Sequence, residues 1–449
     1  MSDITNIDMK KVWQQDKDHF VHPWTDFSTF KETGSMVLAD SENVHVKDGE
    51  GNKFLDGIGG LWCVNIGYAR QEMADAISEQ IMKIPYYSPF GHQTTVPAAQ
   101  LAAKLAELAP GNLNHVFYGC GGSVANDTAV RIIHFYFNQL GKKSKKQIIS
   151  RIDGYHGSTY MAMSITGVKF DHIGFDIEED MVHHISCPNP YRRPATQSLE
   201  DFCDEKVQEL EDKILEVGAD NVAAFFAEPI MGAGGVIVPP KGYQKRTLDV
   251  CRKYGVLYVS DEVVTAFGRL GHMFASEDEF DIVPDIITCA KGLTSGYLPL
   301  GATIMSDDIY DVISKPQADG ALFTHGYTYS GHPVACAAAL ATLDIYKEER
   351  LLEHAGEQAP KIEKAAHSLK GTKHIVDIRN LGVIAALELE PRGNAVGARG
   401  FEVMKKAWDM GLMVRANGDT LAFSPPLIVQ DSQIDEMFTT VKSALEQVD

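Results

Sequence analysis

Lys291 closes the run DIITCAK, a stretch of mostly apolar residues that would leave an ammonium poorly solvated at the edge of a buried strand. Such a charge must be paired or removed, and condensing with an aldehyde to an imine is one way to remove it. Two further strand ends carry polar chemistry. Asp261 and Glu262 follow VLYVS, where a carboxylate can serve as a helix cap, a metal ligand or the partner of a buried cation. Gly119, Cys120, Gly121, Gly122 and Ser123 separate HVFY from a helix expected to start near Ala125. Convergent backbone N–H groups and the positive end of that helix suit a phosphate, although glycine turns of this kind also occur as plain connections. Taken together, a phosphate cradle, an acid and an amine on three strand ends match the three handles of pyridoxal 5′-phosphate. The phosphate needs N–H donors, the pyridine nitrogen needs a carboxylate to stay protonated as an electron sink, and the aldehyde needs an amine.

The elements that must position these groups follow from hydrophobic periodicity. Between 36 and 56 the alternation in MVLAD, NVHVKD and NKFLD, broken at Asp48-Gly49 and Gly51-Asn52, predicts a small antiparallel sheet. Helical spacing predicts helices over 71–84 and 96–109, the second with Pro97 in its first turn. Short apolar runs then alternate with longer amphipathic ones: HVFY, QIIS, VAAFFAE, VLYVSDE and DIITCAK against helices over 200–216 and 243–254. Runs this short and apolar fit strands buried on both faces of a mostly parallel, helix-covered sheet, hence an α/β fold. The roughly thirty residues between Asp261 and Lys291 would hold one strand–helix–strand step. Past His332 come helices over 333–347 and 351–369, strands in VDIRN and VIAALELE, and helices near 401–410 and 432–446, an α+β unit. The expected division is an N-terminal segment, 1–70, shared with a small domain; a large domain, 71–335; and a C-terminal small domain, 336–449. The basic run Lys142, Lys143, Lys145 and Lys146 reads as a solvated loop.

Composition narrows the function. No stretch approaches the roughly 18 uninterrupted apolar residues of a membrane span, which excludes a membrane protein. Asp and Glu number 61 against 41 Lys and Arg, a formal charge of −20, so the mean field repels nucleic acid and anionic lipid. The seven cysteines are scattered and form no Cys-x-x-Cys pair, which fits inert thiols in a reducing compartment. Residues 1–20 have neither the apolar core of a signal peptide nor the Arg-rich, acid-poor look of a transit peptide, so the cytoplasm is expected.

Three blocks, SDEVVTAFGRLG, DIITCAKGLTSGYLPLGA and YTYSGHPVACAAAL, resemble the signature blocks of class III aminotransferases, and the resemblance runs from about Trp24 onward. Within that family the chain is similar to the ω-transaminases, the β-alanine or ω-amino-acid:pyruvate type. The resemblance implies the fold-type I architecture of pyridoxal-phosphate transferases, with an amine donor and a keto acid acceptor as substrates. It implies that Lys291 holds the cofactor as a Schiff base and moves the proton, that Asp261 binds the ring nitrogen, and that Val263 and Tyr155 pack on the two ring faces. Gly122, Ser123 and Val124 would hold the phosphate, with Thr328 reaching it from a neighbouring subunit in a homodimer, or in a tetramer of two dimers. His156, Glu228 and Tyr327 join the cofactor contacts by the same likeness. Trp62 would wall the substrate pocket, Phe90 and Tyr155 would add to it, and Arg415 would bind a substrate carboxylate or swing away from uncharged amines; a guanidinium fork suits that group. One departure stands out: the family often has glutamate where this chain has Val124.

Alternatives on the same cofactor frame are an aminomutase, a racemase, a decarboxylating aminotransferase, or an aminotransferase specific for taurine or diamines. A dinucleotide-binding oxidoreductase would need a Gly-x-Gly-x-x-Gly turn after its first strand, with an acid about 20 residues on, and the chain has none. A non-catalytic scaffold is the remaining class, and an intact Asp261 and Lys291 argue against it.

Overall fold

The computed structural model describes residues 7–315 and 320–449; positions 1–6, the start of the segment read above for a leader, and 316–319 lie outside it. Its centre is a seven-stranded sheet in the order His115–Gly119, Gly301–Met305, Ile286–Cys289, Leu257–Asp261, Val222–Ala227, Gln147–Arg151 and Val182–Ile185. Only Gly301–Met305 runs antiparallel to its neighbours; the remaining pairings are parallel. The central strands are buried along their whole length, as their unbroken apolar runs require. Helix Gly122–Gln139 packs across five strands of this sheet. Helix Pro333–Glu348 packs against helices Gln71–Lys83 and Val96–Leu108.

Two smaller sheets flank this layer. Leu38–Glu42, His45–Asp48 and Lys53–Asp56 form the antiparallel opening sheet, and Leu412–Met413 adds to it in parallel, so N- and C-terminal segments share one sheet. Asp48 shapes the turn between the second and third strands by accepting the N–H groups of Glu50 and Asn52, both at 2.9 Å. The C-terminal sheet has the order Ile375–Leu381, Ile384–Leu389, Thr420–Phe423 and Arg415–Asn417. Among the described residues no helix is long and apolar enough to cross a membrane.

The step from Asp261 to Lys291 is strand, helix, strand as expected, but its helix is only four residues long, Ala275–Asp278, ahead of the parallel strand Ile286–Cys289. The buried Glu262 carboxylate accepts the N–H groups of Ala275 at 2.7 Å and Ser276 at 3.0 Å and so pins the start of that helix. One expectation is corrected. Lys145, in the run read as solvated, is 3% exposed and donates to the carbonyls of Ala219, Val222 and Gly255 at 2.8–3.0 Å. Carbonyls at the ends of helices Leu199–Val217 and Tyr243–Tyr254 converge there, and a cation at that negative end compensates them.

Candidate active site

The parallel strands bring their carboxyl ends to one edge of the sheet, and the polar groups follow directly from where each apolar run stops. Asp261 ends the strand Leu257–Asp261 and is buried. Its Oδ2 accepts from Asn126 Nδ2 at 2.7 Å and from His156 Nδ1 at 2.8 Å, while Oδ1 accepts the Val263 N–H at 3.1 Å. A buried carboxylate is costly unless hydrogen bonded, and these three donors to its anionic form meet that need. His156 reaches it from the turn after Gln147–Arg151, with its ring edge-on to Phe226 at 6.0 Å.

Glu228 follows Val222–Ala227 and accepts from Tyr155 N at 2.9 Å and Gly232 N at 3.0 Å. Burial pushes its carboxyl above the usual range; nearby His156 draws it back and Asp261 adds to the rise. It therefore anchors the Tyr155 backbone. The Tyr155 hydroxyl pairs with Ser158 Oγ at 3.1 Å, and the Trp24 ring meets it edge-on at 5.8 Å.

The glycine loop joins strand His115–Gly119 to a helix that starts earlier than expected, at Gly122. No side chain caps that start, so the N–H groups of Gly122, Ser123 and Val124 have no intrahelical partner. Ser123 Oγ accepts the Ser158 N–H at 3.0 Å, which ties the cradle to the Tyr155 turn. Gly157, at φ +133°, is required there: a β-carbon on it would lie 2.3 Å from Ser123 Oγ. Val124 fills the space beside Gly119, where a β-carbon would come 2.6 Å from its Cγ1. An apolar side chain thus occupies the place where the family often has glutamate.

Lys291 begins a 3₁₀ turn after Ile286–Cys289 with φ +42°, a left-handed conformation unusual for a residue with a side chain. Burial drives its amine below the ordinary lysine value of 10.5, and Asp261, Cys63 and Glu228 offset this in part. Among the described residues no hydrogen bond reaches its ammonium.

Arg415 is partly buried; its Nε donates to Asn417 Oδ1 at 2.8 Å, and Asn417 Nδ2 donates in turn to Ala233 O at 3.0 Å. Burial lowers its pKa, countered by Tyr155 and Asp171, and no carboxylate among the described residues forms an ion pair with it. Trp62 is buried with φ +63° and packs with Ile58, Ile230, Val236 and Leu270. Tyr327 lies beside the Gly122–Gln139 helix, and burial raises its phenol. Phe90 and Thr328 stand apart from this cluster. Phe90 is 55% exposed, and the Thr328 carbonyl accepts the Tyr86 hydroxyl at 2.6 Å on the same outer surface.

Asn126 and Thr288 escaped the reading of the sequence. Thr288 is the parallel-sheet neighbour of Asp261, and its hydroxyl donates to Asn126 Oδ1 at 2.8 Å. The signal for Asn126 was its position one helical turn beyond Gly122, on the helix face that carries Ala125, Ala129 and Ile133 inward.

The donor set fits pyridoxal 5′-phosphate. Unpartnered N–H groups at a helix start suit the phosphate, a buried hydrogen-bonded carboxylate suits the ring nitrogen, and a partly buried amine that meets no hydrogen-bond partner among the described residues suits the aldehyde. Comparison with known proteins agrees with that chemistry. Residues 29–445 match the family described as Aminotransferase class-III. The chain is 40% identical to the putrescine–pyruvate aminotransferase of Pseudomonas aeruginosa, covering 99% of this chain and 98% of that one. It superposes on the omega transaminase of Pseudomonas jessenii in complex with PMP with a TM-score of 0.94, at 37% identity over 97% of this chain and 98% of that one. A thermostable omega transaminase engineered for asymmetric synthesis of enantiopure bulky amines gives the same TM-score, 0.94, at 37% identity over 97% of this chain and 98% of that one. In that variant a tryptophan, a phenylalanine and an arginine are replaced.

Proposed function

The chain belongs to the class-III aminotransferases, enzymes that depend on pyridoxal 5′-phosphate, and we propose that it moves the amino group of an ω-amino acid, a diamine or a simple amine to pyruvate. The observation that carries this reading is the pairing of Lys291, desolvated and free of hydrogen bonds, with Asp261 on the adjacent strand. The cofactor, when bound, supplies an aldehyde that condenses with amines and a protonated ring that accepts an electron pair. Lys291 would hold it and, in its uncharged form, which burial favours, would take the proton from the amine-bearing carbon of the donor and return it at C4′. Asp261, held by its three donors, would pair with the ring nitrogen and keep it protonated. Gly122, Ser123 and Val124 hold the phosphate, Val263 and Tyr155 bracket the ring, and Glu228 fixes the Tyr155 backbone. His156 and Tyr327 complete the cofactor shell. Alanine released from pyruvate with β-alanine, taurine, γ-aminobutyrate, putrescine or 1-phenylethylamine as donor tests the reading. Turnover of a donor without alanine would point to an aminomutase or racemase, and carbon dioxide released together with alanine to a decarboxylating aminotransferase.

Arg415, with its outer nitrogens unpaired, binds the carboxylate of pyruvate or of an amino acid donor beside Trp62. Arg415→Ala is expected to lower kcat/KM for β-alanine and pyruvate by about 10- to 100-fold, the worth of lost hydrogen bonds to a charged group. Half-reactions with 1-phenylethylamine should change less than threefold, an ordinary surface-scale effect of about 0.6 kcal/mol. Equal losses for both classes of donor would remove Arg415 from the pocket.

The working unit we propose is a homodimer. Tyr87, Phe90 and Tyr329 are more than half exposed, and Tyr86 and Phe90 meet the segment that carries Thr328 and Tyr329, a patch suited to a second copy. Thr328 then reaches the partner's phosphate. A mass in solution of one chain at micromolar concentration would contradict this. The cytoplasm, where seven free thiols stay reduced, is the proposed location.

The depressed Lys291 amine sets a pH dependence. Only the neutral amine captures an aldehyde, so the rate at which apoenzyme takes up cofactor should rise with pH to a midpoint below 10.5. A midpoint at or above that value would show an amine with ordinary solvation.

A further inference from the structure

Asn126 is fully buried, and both of its amide hydrogens and its oxygen are hydrogen bonded. One hydrogen of Nδ2 goes to Asp261 Oδ2 at 2.7 Å and the other to His156 O at 2.7 Å, while Oδ1 takes the Thr288 hydroxyl at 2.8 Å. The amide cannot be turned over: its oxygen would then face a carboxylate and a carbonyl, neither of which donates. Thr288, on the strand next to Asp261, fixes the amide from behind. Asn126 and His156 therefore both load Oδ2. Oδ1 receives a single backbone N–H at the longer distance of 3.1 Å and retains a free lone pair. Asn126 also lies four residues past Gly122, one turn along the helix whose N-terminus forms the anion cradle. Phosphate site and acid are thus braced against each other through one side chain.

We infer that Asn126 is a positioning residue for the aminotransferase reaction: held by Thr288, it fixes Asp261 through Oδ2 so that Oδ1 is presented to the ring nitrogen at a set distance from the phosphate cradle. The inference rests on the reading of Asp261 as the partner of that nitrogen. Its consequence is that Asn126 affects cofactor binding only through the nitrogen.

The test compares equilibrium binding of pyridoxal 5′-phosphate and of its 1-deaza analogue, in which carbon replaces the ring nitrogen, to the full-length apoenzyme by quenching of tryptophan fluorescence. Wild type should prefer the natural cofactor. In Asn126→Ala that preference is expected to shrink by about tenfold, the loss of a hydrogen bond to a charged group, with the affinity for the analogue unchanged. Weakening of both ligands by the same factor would make Asn126 a packing residue and overturn the inference. Thr288→Val decides the matter if the alanine variant does not fold: its preference should narrow in the same direction, and an unaltered preference overturns the inference. Asp261→Asn separates the two levels. If it too keeps the wild-type preference, the assignment of Asp261 fails; if it loses the preference while Asn126→Ala and Thr288→Val keep it, only the role of Asn126 fails.

Discussion

Replacing Lys291 by alanine is expected to lower transamination by at least ~10⁴-fold, the upper range for removal of a positioned acid–base group, because the covalent hold on the cofactor is lost with it. Arginine should be no better: it keeps a charge but stays protonated and cannot condense. The loss should not come from unfolding. Burial penalises the charged form of Lys291, so its folded pKa lies below its unfolded one. Between those two values the unfolded chain binds a proton that the folded chain does not, and folding stability rises with pH. The penalty is therefore complete below the folded pKa and lifted as pH approaches 10.5. Apo Lys291→Ala lacks it, so its melting temperature at neutral pH should equal or exceed that of the apo wild type, and the gap should close toward pH 10.5. Calorimetry at several pH values checks the trend; a variant markedly less stable at neutral pH would mean that the amine is paired in the fold.

Asp261→Asn is expected to cost about 10²–10³ in kcat, the scale on which a preorganised electrostatic contact acts. The substitution keeps shape and an acceptor oxygen but removes the charge that keeps a ring nitrogen protonated. It also sets the His156 and Asn126 donors against a neutral amide. Lys291 and the glycine cradle are untouched, so the cofactor should remain bound, as the visible absorbance of purified protein would record. A variant with cofactor in place and activity within tenfold of wild type would take Asp261 out of the mechanism.

The positions of these two residues were legible because each interrupts a run of apolar residues where a buried strand must end. The α/β layer was legible for the same reason, from strands such as VAAFFA that are buried on both faces. Val182–Ile185 was not, since its two histidines make VHHI read as polar. The antiparallel Gly301–Met305 straddles the end of a block whose likeness to a family drew attention to its lysine. Asn126 looked like any polar residue on a helix, and its importance comes from contacts 135 and 162 residues away. Lys145 was misjudged on similar grounds: its carbonyl partners lie 74 to 110 residues further on and meet only once the helices pack. Local pattern reports what a segment must bury. It does not report which distant groups close a polar network.

The most direct test of Lys291 as the cofactor-bearing residue is borohydride reduction of the holoenzyme followed by peptide mapping with mass spectrometry. The pyridoxyl group should appear on Lys291 alone. A modified lysine elsewhere, or an unmodified Lys291 in protein that carries its full complement of cofactor, would contradict the assignment.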